Sequence, residues 1–125
     1  MSTLRTTLAV LVTLTASIAS AFAAPIASPK SYDGGWSVLI VTEKGTCDRA
    51  YRYPVKIENG TVGYAGSAAF HVSGKVGPNG AVTVTVSRGD KSATGTGTMS
   101  GTDGFGTWTA ASGECSGTWT AERRS

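Results

Sequence analysis

Apolar and polar residues alternate with a period of two over most of the chain from Trp36 onward, and turn-forming residues interrupt the alternation at short intervals. This pattern is typical of short antiparallel strands, and no segment shows the roughly 3.6-residue periodicity of an amphipathic helix. It predicts eight strands: residues 36–43, 50–58, 61–65, 68–76, 81–88, 92–100, 105–110 and 115–122. Asn59-Gly60 and Gly77-Pro78-Asn79-Gly80 are strong turn signals between them, because these residues accept the backbone angles of tight turns. The predicted fold class is therefore all-β.

The number of strands allows the sheet to close into a small antiparallel up-and-down barrel. With eight strands in this order, the first and the last run antiparallel and can pair. A register that keeps apolar residues of both strands on one face makes three pairs: Trp36 with Arg123, Val38 with Ala121 and Ile40 with Trp119. The same register places Lys44 opposite Cys115 at the rim, close to Cys47. Since a slip of one residue would send these side chains to opposite faces, the pattern favours this closure.

The segment Gly-Thr-Trp-Thr-Ala occurs twice, at residues 106–110 and 117–121, and each Trp lies on the opposite face from its Thr neighbours. Glycine inside a strand often marks a place where a bulky group approaches the backbone. We expect three such glycine–indole pairs across neighbouring strands: Gly97 and Gly117 opposite Trp108, and Gly106 opposite Trp119. Two interpretations follow. Either the glycines make room for packed indoles, or the indoles line a ligand cavity with two tyrosines: Trp108, Trp119, Tyr51 and Tyr53.

Residues 1–23 have the pattern of a secretory signal peptide. Arg5 provides a basic start, residues 8–18 are largely apolar, and Ala21-Phe22-Ala23 is a cleavage motif, with Ala24 as the alternative position. The apolar run is too short for a lasting membrane span, which needs about 20 residues, and no second run follows it. The mature protein is therefore predicted to be exported, either periplasmic or secreted, without a membrane span.

The mature chain is predicted to hold one domain, with a flexible leader at residues 24–33 and a barrel at residues 34–125. Its cysteines, Cys47 and Cys115, both lie in the exported part, where an oxidising environment favours a disulfide over two free thiols. The bridge would enclose nearly seventy residues. In a chain-entropy estimate, such a bridge contributes roughly 4 kcal/mol to the free energy of unfolding.

Residues for catalysis or metal binding are few. His71 is the only histidine, so a multi-histidine zinc site cannot form, and no motif links it to Ser67, Ser73 or Asp90 as nucleophile or orienting acid. The acidic residues fall mainly at strand ends and turns, where solvated charges normally lie. The sequence therefore predicts a protein that is not an enzyme, with no catalytic residues, no metal site and no cofactor.

The charge pattern gives little indication of a partner. The net charge is only +3 at pH 7 and no dense basic stripe is present, so nucleic acid is not a predicted partner. Arg49, Tyr51, Arg52 and Tyr53 form a basic and aromatic cluster beside Cys47. We expect its rings in the core with Arg52 facing water; the alternative is a rim that recognises an acidic or aromatic group. Threonines on four strands form one outer face, which is an alternative contact surface.

Gly34-x-Trp36 at the start of the first strand, with Arg123 or Arg124 at the end of the last, resembles the closing elements of calycin-type barrels. This group includes lipocalins, avidins and small bacterial metalloprotease inhibitors. The resemblance implies that Trp36 packs under the barrel against a basic side chain from the far end of the chain, Arg123. The chain also resembles small exported proteins of soil-dwelling alphaproteobacteria, a resemblance that implies no activity.

The protease inhibitors are similar to this chain in size, export and a single disulfide, and their Cys soon after the Trp matches Cys47. Their second Cys, however, comes much earlier than Cys115, so the bridge departs from their pattern. In these inhibitors a flexible N-terminus enters the protease cleft, and the resemblance would give this role to residues 24–33.

These observations together predict a non-catalytic exported binding protein, whose partner is a small apolar ligand inside the barrel or a protein at one rim. The alternatives are a periplasmic protease-inhibitor-like protein and a structural protein that contacts the cell envelope. An internal ligand requires a cavity bounded by the predicted residues, Trp108, Trp119, Tyr51 and Tyr53. An inhibitor instead requires a filled barrel and an exposed leader.

Overall fold

The computed structural model describes residues 9–15 and 31–125. The predicted cleavage motif and residues 24–30 of the predicted leader lie outside the described residues, so the signal peptide and most of the leader remain predictions. Residues 9–15 are exposed and have no regular secondary structure. The rest of the described chain forms eight strands: β1 (Gly34–Lys44), β2 (Ala50–Glu58), β3 (Thr61–Tyr64), β4 (His71–Val76), β5 (Ala81–Arg88), β6 (Lys91–Ser100), β7 (Asp103–Ala110) and β8 (Ser116–Arg123).

Each strand pairs antiparallel with the next, and β8 pairs with β1, so the sheet closes into a barrel. The predicted all-β class and the barrel of eight strands are confirmed. The three predicted closing pairs are also present: Trp36 with Arg123, Val38 with Ala121 and Ile40 with Trp119. Near the rim the register shifts between Thr42 and Lys44, so Lys44 lies opposite Ser116. The predicted pairing of Lys44 with Cys115 is wrong because this irregularity offsets the end of the strand.

The predicted register between β6 and β7 is wrong. Ser100 pairs with Asp103 across a short turn, so Gly95 lies opposite Trp108, and Gly97 lies opposite Gly106. The short connection depends on Gly101, whose φ of 60° is accessible to glycine without strain. The other two predicted pairs are confirmed: Gly117 lies opposite Trp108 and Gly106 opposite Trp119.

The connection between β3 and β4 is longer than the sequence pattern predicts. β3 ends at Tyr64 and β4 begins at His71, so the predicted strands at residues 61–65 and 68–76 both lose residues. Residues 65–69 are small and exposed, and no apolar alternation holds them in the sheet. They form a loop that ends in Phe70.

The up-and-down order places alternate connections at the two ends of the barrel. We call one end the closed end; it carries residues 31–33, the C-terminus and the turns at residues 59–60, 77–80 and 101–102. We call the other end the mouth; it carries the loops at residues 45–49, 65–70, 89–90 and 111–115. The predicted disulfide is present at the mouth, where Cys47 and Cys115 lie with their Cα atoms 6.1 Å apart. Within the described residues, no helix has the length and apolarity needed to cross a membrane.

Candidate functional site

The closed end is sealed around Trp36, whose side chain is only 1 % exposed. The guanidinium of Arg123 lies over this indole, 4.8 Å from the ring centroid. The same guanidinium donates hydrogen bonds to the carbonyl oxygens of Asp33 (2.8 Å) and Ser31 (2.7 Å). The Trp36 indole nitrogen donates to the carbonyl of Tyr32 at 2.8 Å. The last three residues of the predicted leader are thus bonded to the barrel, and Trp36 and Arg123 lie together at its base.

The half of the interior next to the closed end is filled with apolar side chains. The inward residues of this half are buried and pack together as one core, which includes Val55, Ile57, Val62, Val76, Val82, Met99 and Ala121. Tyr32, which precedes β1, packs against this core, and its hydroxyl donates a hydrogen bond to the carbonyl of Met99 at 3.2 Å. No comparable filling continues toward the mouth.

The interior opens toward the mouth as a cavity of about 590 Å³, whose lining reaches down to Trp36, Ile57 and Met99. Five of the apolar side chains that point inward near the mouth are only half-buried and line this open space: Ile40, Val84, Val86, Ala93 and Ala110. Two of them are alanines that pair directly across β6 and β7, Ala93 with Ala110. Small side chains at this position leave volume that larger residues would fill.

All four residues proposed from the sequence as ligand contacts, Trp108, Trp119, Tyr51 and Tyr53, line this cavity. The Trp108 indole nitrogen donates to the carbonyl of Val41 at 3.0 Å, and that of Trp119 donates to the carbonyl of Thr96 at 3.2 Å. Both indole N–H groups are therefore already bonded to backbone. What the indoles offer to the cavity is apolar ring surface.

Glycines of β6 and β7 allow Trp119 to lie against the barrel wall. A Cβ atom on Gly97 would lie 2.6 Å from Cζ2 of Trp119, and one on Gly106 would lie 2.6 Å from Nε1 of the same indole. Real Cβ atoms do not approach other atoms so closely. Both sequence-based interpretations of the glycines therefore describe part of the structure: they make room for an indole, and that indole lines a cavity.

An aromatic cluster forms one side of the mouth. Phe70 packs against three tyrosine rings, with centroid distances of 5.5 Å to Tyr51, 6.3 Å to Tyr53 and 5.7 Å to Tyr64. The guanidinium of Arg88 covers the Phe70 ring at 5.2 Å. Phe70 was not among the site residues predicted from the sequence. The alternation along the predicted strand could have identified it, because Phe70 is an even number of residues from Val72 and Val76, whose side chains point inward.

Tyr53 is the polar group that lies deepest in the cavity wall. Its side chain is 8 % exposed, and burial raises the pKa of its hydroxyl to about 12, so the group is neutral at physiological pH. The hydroxyl makes no hydrogen bond to any described residue. Every fully buried side-chain oxygen or nitrogen among these residues has a hydrogen-bond partner, so the Tyr53 hydroxyl is partly exposed. It is exposed inside the cavity, which this inward side chain lines.

Charged groups surround the cavity only at its rim, where both signs occur: Asp48, Asp90, Glu114, Arg88 and Lys91. No charged side chain is buried anywhere in the described part of the chain. Arg52, part of the basic cluster noted in the sequence, points away from the interior and donates to the Ser37 hydroxyl at 2.9 Å. It is not part of the rim, because it lies on the face of β2 that points out of the barrel.

The only histidine, His71, is exposed at the start of β4 and does not line the cavity. Across residues 9–15 and 31–125, no three His, Cys, Asp or Glu side chains come close enough together to hold a metal ion. Below the charged rim, the cavity offers apolar contact, aromatic ring packing and the neutral hydroxyl of Tyr53; further hydroxyl groups that line it belong to Thr42, Tyr51, Ser87, Ser92 and Ser112.

The fold and this cavity define a class of protein: a small, disulfide-stapled antiparallel β-barrel with an open apolar interior at one end. Comparison with known proteins adds no family to this class, because no protein-family model, no curated protein and no solved structure matches the chain.

Proposed function

We propose that this protein is an exported, non-catalytic binding protein that holds a small apolar ligand inside the mouth half of its barrel, as a calycin-like protein. One observation carries the proposal: inward apolar side chains at that level remain half-buried around a cavity of about 590 Å³. Ligand sites in proteins typically enclose about 300–1,000 Å³ and are lined mainly by apolar and aromatic side chains. The cavity agrees with both properties.

The energetics favour an apolar occupant. Removing apolar surface from water contributes roughly 25 cal/mol per Å², and this gain applies to both the ligand and the cavity wall. The wall is held by strands on all sides and by the Cys47–Cys115 bridge at the mouth. A wall ordered before binding reduces the entropy that is lost when the ligand enters.

Export follows from the predicted signal peptide and is consistent with the disulfide, since such bonds persist in oxidising compartments. We propose a periplasmic or secreted location on this basis. In such an aqueous compartment, the cavity would remove an apolar ligand from water.

The test is a titration of the intrinsic tryptophan fluorescence of the oxidised protein with fatty acids and small apolar ring compounds. Saturable quenching or a blue shift is the expected result, because Trp108 and Trp119 line the cavity. A spectrum unaffected by every ligand would overturn the proposal and favour a protein partner, either for a protease-inhibitor-like role or for a structural one.

A matched pair of variants separates the cavity from the outer surface. Ala110→Leu places a larger side chain into the cavity, whereas Thr109→Leu adds the same side chain to the outward face of the same strand. We expect the first variant to weaken ligand binding by at least tenfold and the second to leave it unchanged. Equal binding by both variants would show that the ligand occupies another site.

A further inference from the structure

The open volume has a limited depth. Toward the closed end, the cavity ends on a floor of buried side chains that includes Trp36, Ile57 and Met99, all at most 4 % exposed. The cavity therefore extends from this floor to the rim. An extended chain longer than this depth would have to open the floor as well, which would break a close-packed core. A compact molecule needs no such change.

The cavity wall also determines the ligand surface that fits. Trp108 and Trp119 present ring surface whose N–H groups are bonded to backbone carbonyls, so they add no hydrogen-bond requirement. Phe70 and Tyr53 add further ring surface to the wall. Aromatic rings pack favourably against other rings, beyond the effect of the area that they bury.

The polar groups set the charge of the ligand. Below the rim, the Tyr53 hydroxyl is a donor without a protein partner, and no charged side chain is buried there to balance an ionic ligand group. An unpaired charge in such a site is strongly unfavourable. At the rim, three carboxylates and two cationic groups give no clear preference for an anion. The cavity wall is therefore complementary to an uncharged ligand with one hydrogen-bond acceptor.

We infer that the ligand is a compact, uncharged ring compound that carries a hydrogen-bond acceptor. Its ring packs against Trp108 and Trp119, and its acceptor receives the hydrogen bond of the Tyr53 hydroxyl. This inference rests on the proposed function and narrows it, because it excludes long acyl chains and ionic ring compounds as the preferred occupants.

Four probes measured by equilibrium dialysis test the ligand class: acetylnaphthalene, ethylnaphthalene, naphthoate and palmitate. Acetylnaphthalene and ethylnaphthalene share a ring and differ in the acceptor, naphthoate adds a charge, and palmitate is an extended chain. We expect acetylnaphthalene to bind most tightly, with ethylnaphthalene about 3–10-fold weaker, since one hydrogen bond contributes about 0.5–1.5 kcal/mol. Naphthoate and palmitate should be weaker still.

The variant Tyr53→Phe tests the hydroxyl, and Tyr32→Phe is its matched control, because the Tyr32 hydroxyl bonds to the Met99 carbonyl and Tyr32 does not line the cavity. Tyr53→Phe should weaken acetylnaphthalene about 3–10-fold and leave ethylnaphthalene unchanged, whereas Tyr32→Phe should affect the binding of neither probe. If Tyr53→Phe weakens both ring probes equally, the hydroxyl makes no hydrogen bond to the ligand and that part of the inference is wrong.

The remaining outcomes distinguish the inference from the proposed function. Tightest binding of palmitate, abolished by Ala110→Leu, would overturn the compact-ring inference and leave the proposed cavity binding intact. Tightest binding of naphthoate would likewise overturn the uncharged class alone. Failure of all four probes, together with a fluorescence spectrum that no ligand changes, would overturn the proposed function itself.

Discussion

At the scale of single residues, glycines and alanines shape the interior of the barrel as much as large side chains do. Gly97 and Gly106 face the Trp119 indole, and Ala93 and Ala110 face open volume two inward levels nearer the mouth. Replacing the first pair would displace an indole, whereas replacing the second pair would fill a cavity. Small residues therefore make room for a side chain at one level and leave open volume at another.

Gly106→Ala is expected to destabilise the protein, because its Cβ would meet the Thr96 carbonyl and lie 2.6 Å from Trp119 Nε1. Such overpacking costs about 1–3 kcal/mol and lowers the melting temperature of a domain of this size by about 4–8 °C per kcal/mol. Gly63→Ala is the matched control, since its nearest new contact is 4.0 Å away. Thermal unfolding followed by circular dichroism measures both variants, and an equal effect would show that the indole is not held against Gly106.

Tyr53 gives the protein a dependence on alkaline pH. The unfolded chain ionises tyrosine near about pH 10, whereas burial raises the pKa of Tyr53 in the folded protein to about 12. Between these values the unfolded state binds fewer protons, so the stability that is full below about pH 10 falls as the pH rises toward 12. The loss is on the order of 2 kcal/mol.

Urea unfolding at a series of pH values measures this effect. Tyr53→Phe should remove the part of the alkaline loss that this hydroxyl causes. Tyr51→Phe is the matched control, because it removes a hydroxyl from an exposed ring and keeps the buried one. An unchanged alkaline slope in Tyr53→Phe would mean that other groups cause the loss.

At the scale of elements, the closed end depends on contacts between segments that are distant in sequence. Arg123, at the end of β8, packs on Trp36 of β1 and bonds to the backbone of residues 31 and 33. The Asp33 carboxylate in turn accepts hydrogen bonds from the backbone N–H groups of Asn59 and Gly60 in the β2–β3 turn. Arg123 and Asp33 thus connect the end of β8 and the segment before β1 to the β2–β3 hairpin.

Arg123→Met is expected to lower the free energy of unfolding by about 1–3 kcal/mol, because it removes two charged hydrogen bonds and the cation over Trp36. Methionine keeps most of the apolar stem, so the loss reports mainly the guanidinium. The neighbouring Arg124→Met is the control, since Arg124 forms only an exposed salt bridge to Glu122 at 3.1 Å, worth less than about 1 kcal/mol. Chemical denaturation compares the two, and similar losses would contradict this role of Arg123.

At the scale of the whole molecule, two connections hold the barrel together. Strands β1 and β8 pair to close the sheet, and a disulfide between residues 68 positions apart in the sequence joins two of the mouth loops. The bridge constrains the unfolded chain and also holds the mouth, where Cys115 is buried and Cys47 lines the cavity. Stability and the shape of the cavity mouth are therefore coupled.

The double variant Cys47→Ala with Cys115→Ala should lose about 2–5 kcal/mol of stability, because its unfolded state regains the entropy that the bridge removes. Reduction of the native protein should produce the same loss in thermal unfolding. Addition of a reductant to the double variant is the control and should change nothing. A melting temperature equal to that of the native protein would show that the barrel holds its mouth without the bridge.

The amino-acid pattern alone was enough to predict the fold class, the number of strands, the β1–β8 register near Trp36 and the disulfide. These properties are local or follow from parity: alternation assigns a side chain to one face, turn residues mark the connections, and an even number of antiparallel strands can close. The four proposed cavity residues follow from the same parity, because large aromatic residues on the inward face must lie inside.

The folded barrel was needed to reveal the register shift beside Lys44, the β6–β7 register and the length of the loop that carries Phe70. The same holds for the core that fills one end of the interior and for the cavity that opens at the other. The cause is that packing depends on side-chain volumes summed around the whole barrel. The alternation of apolar and polar residues shows on which face of the sheet each side chain lies. It does not show at what height along the barrel axis the inward side chains of the eight strands meet.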